Sequence, residues 1–472
     1  MRSTHLFSFT FLILLGCNFY WLPIAYGGSI VQRNFLPINS IESHFITSFG
    51  CTIAPENRLV AIYNEFKNGL NKLKILTSTS DFEWKTEPEL LLSSNSSFSV
   101  YGEPSAFLLN GTYWVIVLFR AGGDKGFLIL TKNNTDGSSW QQFYNYNSSA
   151  FTITDAIMKL FRGKDAIAVA WKDNHLGSFN LYSRFYNLSS KVWSPIFNLT
   201  IENSYNCYDT DFFIDSNNTV HYVWAENSTN FEQIHYRSIF INGTQISTEI
   251  LTNGDTSCRE PTIVGQGDRL FVFWTNHTVE NPGADLGTIN IQMSEKKIGH
   301  PWSTAEQIAP YSSIDQTSSF SDAKSPSVAI DAFGKLWLAY EVREVYYNHM
   351  GIELRGRDII FGWQKSEHVS LANNPAIKPQ IIADTIGNLH CFWLDFRNGN
   401  YQLFYRIRFL DNTWSDEISL TKFTFTSSQV TIYVLLILGA LTLILLPTVI
   451  LYKIHSRKTK KLLQKKIDSL QD

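Results

Sequence analysis

Apolar and aromatic residues occur in short runs along most of the chain, and polar turn residues separate the runs. The pattern is clearest in residues 387–421, where three runs rich in β-branched and aromatic residues are divided by Arg397–Asn400 and by Asp411–Asn412. Runs of this length, bounded by Asn, Asp and Gly, are typical of consecutive antiparallel strands. The pattern therefore predicts an all-β protein.

One type of run, five residues long and ending in a large side chain, recurs seven times. The final residues of successive runs lie 55, 53, 53, 50, 66 and 53 positions apart. A tryptophan recurs with a similar period later in the unit, at Trp84, Trp140, Trp193, Trp302 and Trp414. The seven runs are Leu59–Tyr63, Trp114–Leu118, Ile167–Trp171, Val220–Trp224, Leu270–Trp274, Leu336–Tyr340 and Leu389–Trp393.

A period near 50 residues with about four strands in each unit is typical of a β-propeller. We predict a seven-bladed β-propeller in residues 28–421, with blade boundaries near residues 94, 149, 202, 255, 313 and 373. Six blades are the alternative, in which the run ending at Leu118 elaborates a neighbouring blade. A two-sheet sandwich also has closely spaced strands, but two independent periodic markers argue against it.

The two ends of the chain carry long apolar segments. Arg2 precedes an apolar run and Ala25-Tyr26-Gly27 supplies small residues, which predicts a signal peptide in residues 1–27. Residues 430–452 contain 23 positions without a charge, enough for a single transmembrane helix. A linker (422–429) precedes this helix and a basic tail (453–472) follows it, which predicts a cytoplasmic C-terminus and an extracellular propeller. The expected location is therefore a cell membrane, crossed once.

Charge and composition narrow the range of partners. The chain has a net charge of −3, and its basic tail leaves the rest of the chain more acidic than that. Nucleic acid is therefore not an expected partner. The chain contains no CxxC spacing, so we expect neither a metal nor another cofactor.

Export would permit disulfides and N-linked glycans. Cys207 and Cys258 lie 17 and 16 residues before Trp224 and Trp274, hence at matching positions in consecutive blades. This spacing predicts a disulfide between them, with two free buried thiols as the alternative. Ten Asn-x-Ser/Thr sequons predict a glycoprotein. They lie at Asn95, Asn110, Asn133, Asn147, Asn187, Asn198, Asn217, Asn227, Asn242 and Asn276.

A second sequence pattern precedes two of the late runs. Residues 326–340 and 379–393 both read Pro, apolar residues, Asp, two residues, Gly, and then a strand ending in Tyr or Trp. The pattern resembles the sialidase-like (BNR, or Asp-box) β-propeller superfamily. The Asp box itself has diverged here: residues 133–140 keep Gly137 and Trp140 but carry Thr135 at the Asp position.

The resemblance implies which residues an active member would need. Active sialidases use three arginines for the sugar carboxylate, a Tyr-Glu nucleophile pair and an Asp acid/base, with one arginine in an Arg-Ile-Pro motif. This chain has Thr-Ile-Ala-Pro at residues 52–55, without that arginine. The nearest counterpart is Arg259-Glu260-Pro261, with Tyr208 and Asp209 one blade earlier.

Candidate site residues follow from the geometry of a propeller. Loops that enter the innermost strand and loops that leave the second strand meet on one face near the axis. A pair of carboxylates there could act as general acid and nucleophile on a glycoside, while arginines hold an anionic sugar. The predicted catalytic residues are Glu260, Asp209 and Tyr208, and the predicted ligand-binding residues are Arg259, Arg343, Arg397, Asp395 and Glu103.

Three functions are compatible with these observations. The first is a membrane-anchored extracellular propeller that binds glycans or surface proteins. The second is a sialidase-like glycoside hydrolase, and the third is a structural cell-envelope protein. The missing arginine favours the first over the second, because a carboxylate site loses both charge and orientation without it.

Overall fold

Strand pairing in the computed structural model produces seven antiparallel sheets, one after another along the chain. The structure describes residues 44–421, except 55–56, 86–87, 96, 135–137, 162–164, 201–204, 228–229, 253, 279–288, 311–320, 345–348, 359–360, 372–373 and 398. It also describes residues 457–459 and 462, which are helical. The chain divides into two units, Met1–Thr421 and Lys422–Asp472, and all seven sheets belong to the first.

Each sheet uses a continuous piece of the described chain, and its strands are numbered in chain order. The first sheet contains β1 (His44–Ile53), β2 (Leu59–Lys67), β3 (Leu70–Thr77) and β4 (Glu89–Ser93). The second contains β5 (Phe98–Leu109), β6 (Thr112–Ala121), β7 (Asp124–Asn133) and β8 (Gln141–Ser148). The third contains β9 (Ile153–Leu160), β10 (Ala166–Asp173), β11 (Asn180–Asn187), β12 (Val192–Trp193) and β13 (Phe197–Asn198). The fourth contains β14 (Cys207–Ile214), β15 (Thr219–Glu226), β16 (Gln233–Phe240) and β17 (Glu249–Ile250). The fifth contains β18 (Ser257–Gln266), β19 (Arg269–His277), β20 (Ile289–Lys297) and β21 (Glu306–Ala309). The sixth contains β22 (Ser321–Ile330), β23 (Leu336–Glu344), β24 (His349–Asp358), β25 (Gly362–Trp363) and β26 (Glu367–His368). The seventh contains β27 (Ala376–Ala383), β28 (Leu389–Asp395), β29 (Gln402–Arg408) and β30 (Ile418–Ser419).

The seven sheets are the blades of a seven-bladed β-propeller, which confirms the predicted fold and excludes the six-bladed alternative. All seven marker runs lie in the second strand of a blade, and every predicted boundary falls between two sheets. The second strand carries the mostly apolar run because the neighbouring blades cover both of its faces. β10, β15 and β28, for example, are buried at every position. This complete burial is the origin of the five-residue apolar runs.

The periodic tryptophans join each blade to the one before it. Trp193 packs on Tyr144 with ring centroids 4.7 Å apart, and Trp302 packs on Tyr236 at 5.1 Å. In both pairs the tryptophan belongs to the outer part of one blade and the tyrosine to the preceding blade. The structure adds Trp363, which packs on Phe273 and fills the same role in the sixth blade. The second periodic marker is therefore an inter-blade contact.

Contacts between the first and seventh blades close the ring. The Ile46 N–H donates to the Tyr401 carbonyl (2.9 Å). The Gln380 amide joins the same two blades, accepting from the Cys51 N–H (3.1 Å) and donating to the Phe49 carbonyl (3.2 Å). Within the described residues, closure therefore depends on contacts between complete blades.

The Pro-Asp-Gly pattern builds the hairpin between the first and second strands. Asp331 Oδ1 accepts the N–H groups of Phe333 and Lys335, both at 2.9 Å. Gly334 follows with φ of +85°, a left-handed conformation that glycine adopts without steric cost. Asp384 and Gly387 repeat the arrangement in the seventh blade. The pattern therefore has a structural role, because it forms the turn that follows the first strand.

The predicted membrane location has to be corrected. Among the described residues, no helix combines the length and the apolar character needed to cross a bilayer. A single-pass membrane protein with an extracellular propeller is therefore not supported. The predicted signal peptide, linker and transmembrane segment lie outside the described residues, as does most of the basic tail.

The predicted disulfide is also corrected, because Cys207 and Cys258 are separate buried thiols. Cys207 packs with Leu199 in the layer between the third and fourth blades, whereas Cys258 packs with Ile234 in the next layer. Matching positions in consecutive blades point the same way around the ring, so a whole sheet separates the two sulfurs. Burial raises the pKa of Cys207 to about 12 and that of Cys258 to about 11, which keeps both thiols protonated.

The sequons differ in accessibility. Seven of the ten asparagines are exposed, and Asn198 and Asn227 are partly exposed, so glycosylation stays a prediction there. Asn276 is the exception, with 2% of its surface exposed. Its Oδ1 accepts a hydrogen bond from Thr256 Oγ1 (2.5 Å), and a glycan does not fit at this position in the folded protein.

Candidate functional site

The first strand of every blade, which is the innermost one, is interrupted by a β-bulge. The bulge always lies near the residue at which the strand begins. Four bulge residues adopt left-handed φ angles without being glycine: Asp155 (+49°), Glu260 (+52°), Ser325 (+54°) and Lys378 (+54°). A bulge redirects side chains and is common beside functional sites. The repeated bulge therefore sets polar side chains of several blades around one end of the axis. We call this region the axial mouth and define it by Glu103, Asp155, Asp209, Glu260 and Lys378.

Carboxylates of the mouth hold the bulge of the following blade. Asp209 Oδ2 accepts the Glu260 N–H (3.2 Å), and Glu260 Oε2 accepts the Ser325 N–H (2.8 Å). Glu341 Oε1 accepts the Lys378 N–H (2.9 Å) in the same way. These contacts connect the fourth to the seventh blades, so the predicted catalytic pair Asp209 and Glu260 also has a structural role.

A buried lysine lies among the carboxylates. Lys172 is 6% exposed, and its Nζ is 2.6 Å from Asp155 Oδ2. Burial alone would lower the pKa of Lys172, but the charge of Asp155 and the hydrogen bond that Lys172 donates to it raise that pKa. Burial raises the pKa of Asp209, and the charges of Glu260 and Asp155 raise it further against the opposing effect of Lys172. Asp209 therefore keeps its proton to a higher pH than an ordinary aspartate does.

An ion pair crosses the mouth in front of the first blade. Lys378 Nζ of the seventh blade lies 2.5 Å from Glu103 Oε1 of the second. In the first blade, the bulge lies between Ile46 and Ser48, whose side chains are shorter than those of Lys378 and Glu103. Lys324 makes a second pair with Glu341, at 3.3 Å. The mouth therefore carries both donors and acceptors, arranged in pairs.

Two of the predicted arginines are already bound by carboxylates. Arg259 contacts Glu232 and lies over the ring of Tyr208, 5.6 Å from its centroid. Arg397 binds Asp395 and also donates to Glu417 (2.6 Å). Arg343 is exposed at the end of β23. The three arginines therefore do not offer the free, shared grip on a sugar carboxylate that the superfamily resemblance implies.

Asp395 is a structural residue. It has no exposed surface, and its Oδ2 accepts the indole N–H of Trp393 (3.1 Å). The same contact recurs in the third blade (Trp171 to Asp173, 2.9 Å) and in the fourth (Trp224 to Glu226, 3.0 Å). The complete burial of Asp395 argues against a contact with ligand, and ligand binding by Arg397 stays a prediction.

Sequence analysis missed two residues beside the predicted ones, Lys172 and Glu341. Both directly follow the large residue that ends a marker run, Trp171 or Tyr340. The signal in the sequence was a charged residue that directly follows a mostly apolar run. The sequence does not show the importance of this residue, because its paired charge, Asp155 or Lys324, lies on a different strand.

No protein-family model and no curated protein sequence matches this chain. Similar solved structures include a protein of unknown function from Dyadobacter fermentans (TM-score 0.45, 12% identity, 77% of this chain and 94% of that chain). The β-propeller domain of the Trilobed protease from Pyrococcus furiosus is similar with a TM-score of 0.47 and 7% identity, over 81% of this chain and 100% of that chain. An α-L-arabinofuranosidase from Fusarium graminearum is similar with a TM-score of 0.44 and 10% identity, over 79% and 98%. Scores below 0.5 leave the function to be argued from the chain's own residues, and membership of the sialidase-like superfamily stays a prediction.

Proposed function

We propose that this propeller binds a carbohydrate at the axial mouth. The observation that carries the proposal is the convergence of Glu103, Asp155, Asp209, Glu260 and Lys378 from five blades at one end of the axis. Sugar hydroxyl groups both donate and accept hydrogen bonds. Carboxylates accept from them and ammonium groups donate to them, so paired acids and lysines suit a polyhydroxyl ligand.

Glycoside hydrolysis is a second candidate, which the raised pKa of Asp209 favours. A carboxyl group with a raised pKa keeps its proton to a higher pH and can act as the general acid on a glycosidic oxygen. Glu260 is a weaker candidate for the nucleophile. Its Oε2 accepts from both Thr275 Oγ1 (2.8 Å) and the Ser325 N–H (2.8 Å), and these bonds support the fold.

Carbohydrate binding predicts a specific effect of Lys378→Gln. We expect the full-length chain to bind oligosaccharides on a glycan array, and the variant to bind the strongest of them about tenfold more weakly, since a charge-assisted donor is lost. Titration calorimetry with that oligosaccharide measures the change. Lys365→Gln is the control, because it removes an exposed lysine from an outer part of the sixth blade. Absence of binding across the array, or equal weakening by the control, would contradict the proposal.

Hydrolysis predicts turnover of aryl glycosides that depends on Asp209. If Asp209 is the general acid, the rate falls as the pH rises through its raised pKa, and Asp209→Asn removes most of the activity while substrate still binds. Release of the aryl group, followed across pH, is the measurement. Binding without turnover in the unmodified protein would leave the propeller as a carbohydrate-binding protein only.

A further inference from the structure

A cavity of about 200 Å³ opens in the second blade, where β5 begins and β6 ends. Its lining includes Ser97, Ser99, Arg120, Asp124 and Lys125. The β6–β7 hairpin beside it turns through Gly122 and Gly123, both with positive φ (+58° and +110°). This conformation is typical of tight two-residue hairpins, and it leaves the rim of the cavity without side chains at these two positions.

Arg120 departs from the repeat at a position that is otherwise acidic or uncharged. It lies two residues after Leu118, the residue that ends the marker run of its blade. Four other blades have a buried carboxylate at the same offset, and Arg120 is exposed. The four carboxylates belong to Glu65, Asp173, Glu226 and Asp395, and the remaining two blades have Asn276 and Val342. A local departure from the rule of a repeat is where function is expected.

Lys125 places a second positive charge beside Arg120. The two residues are direct partners across β6 and β7, an arrangement that is unfavourable for like charges. The Arg120 guanidinium lies over the ring of Tyr101 at 5.2 Å, and Lys125 Nζ donates to Thr152 Oγ1 at 2.9 Å. Within the described part of the chain, neither cation forms an ion pair with a carboxylate. The nearest acid in sequence, Asp124, accepts a hydrogen bond from Asn147 (3.0 Å).

Two adjacent cations line this cavity, and the acid beside them, Asp124, is held by Asn147 and forms no ion pair with either cation. The excess of positive charge matches an oxyanion. A guanidinium binds a carboxylate or a sulfate through two parallel hydrogen bonds, and an ammonium adds a point charge. The cavity is smaller than the 300 Å³ or more of a site for a whole drug-sized ligand, so it suits one charged group and part of its ring. We infer that Arg120 and Lys125 form a subsite for the oxyanion group, carboxylate or sulfate, of an acidic glycan.

This inference rests on the proposed carbohydrate binding, and it adds that the ligand carries a negative charge. The cavity belongs to the second blade, as does Glu103 of the axial mouth. The ends of β5 and β6 that line it are the ends at which their blade enters the mouth. A glycan bound at the mouth can therefore extend along this blade toward Arg120.

The test compares a sulfated oligosaccharide, its desulfated counterpart and inorganic sulfate on the full-length chain. We expect the sulfated sugar to bind more tightly than the desulfated one, with the difference shrinking as salt screens the charges. Arg120→Gln should weaken the sulfated sugar about tenfold and leave the desulfated sugar unchanged. Arg269→Gln is the matched control, since Arg269 is an exposed arginine on the fifth blade. Calorimetry measures all three ligands.

The outcomes separate the inference from the proposed function. An unchanged affinity of the Arg120 variant for the sulfated sugar, or an equal loss in the Arg269 variant, would overturn the subsite. If both sugars weaken in the Lys378 variant but not in the Arg120 variant, carbohydrate binding stands and the subsite falls. If only inorganic sulfate binds, in a manner that depends on Arg120, the cavity is an anion site and carbohydrate binding falls.

Discussion

Replacing Asp395 by alanine is expected to lower the free energy of unfolding by about 3 kcal/mol, because the change breaks a buried ion pair. Asp395 has no exposed surface and accepts three hydrogen bonds from the side chains of Trp393 and Arg397. Removing it leaves an indole N–H unpaired and deprives the guanidinium of one of its two carboxylates. Arg397 keeps Glu417, which holds the loss near the lower end of the range for such pairs.

Urea denaturation followed by tryptophan fluorescence measures this loss. Asp416→Ala is the control, because it deletes an exposed carboxylate from the same blade and should change stability little. The folded Asp395 variant should keep its affinity for carbohydrate, since the residue does not line the axial mouth. Loss of affinity without loss of stability would show that Asp395 contacts the ligand after all.

Acidification is expected to destabilise the protein through Glu65. Burial alone would raise the pKa of Glu65, but hydrogen bonds from His44 (2.9 Å) and Lys74 (2.7 Å) outweigh it and lower the pKa to about 2. A folded-state pKa below the unfolded one means that the carboxylate stabilises the fold above the unfolded pKa. This stabilisation is lost as the pH falls from about 5 toward 2, and it amounts to about 2 to 3 kcal/mol.

Glu65→Gln tests this pH dependence. The variant should be less stable than the unmodified protein at neutral pH, and the two should converge as the pH approaches 2. Urea midpoints measured from pH 7 to pH 2 follow the convergence, with Glu83→Gln as a control at an exposed position of the same blade. Two curves that stay a constant distance apart would contradict the assigned pKa. Asp215 and Asp384 have lowered pKa values as well, so acid destabilisation should persist in part in the variant.

The site could be predicted only in part, and the arginines show why. The sequence identified Arg259 and Arg397 as charged residues at the end of their blades where the bulges converge. It could not show that Glu232 and Glu417 already bind them, because these partners lie 27 and 20 residues away in the chain. Charge alone does not separate a paired cation such as Arg259 from Arg120, which forms no ion pair within the described residues.

The sequence by itself determined the blades. A strand that is covered on both faces must be mostly apolar, and this requirement repeats once per blade whatever the neighbouring loops contain. Seven runs therefore predicted seven sheets, and the boundaries between them followed from the spacing. The tryptophan period is visible in the sequence for the same reason, since the outer part of each blade contacts the preceding blade in the same way.

Only the tertiary structure decided what lies across the ring. Equivalent positions in consecutive blades are related by rotation, so Cys207 and Cys258 face successive layers and never each other. Conversely, Glu103 and Lys378 are 275 residues apart and meet because the ring closes. The contacts of the axial mouth join consecutive blades, as between Asp209 and Glu260, or cross the closure of the ring, as between Glu103 and Lys378. They form because bulges from different blades converge at one end of the axis.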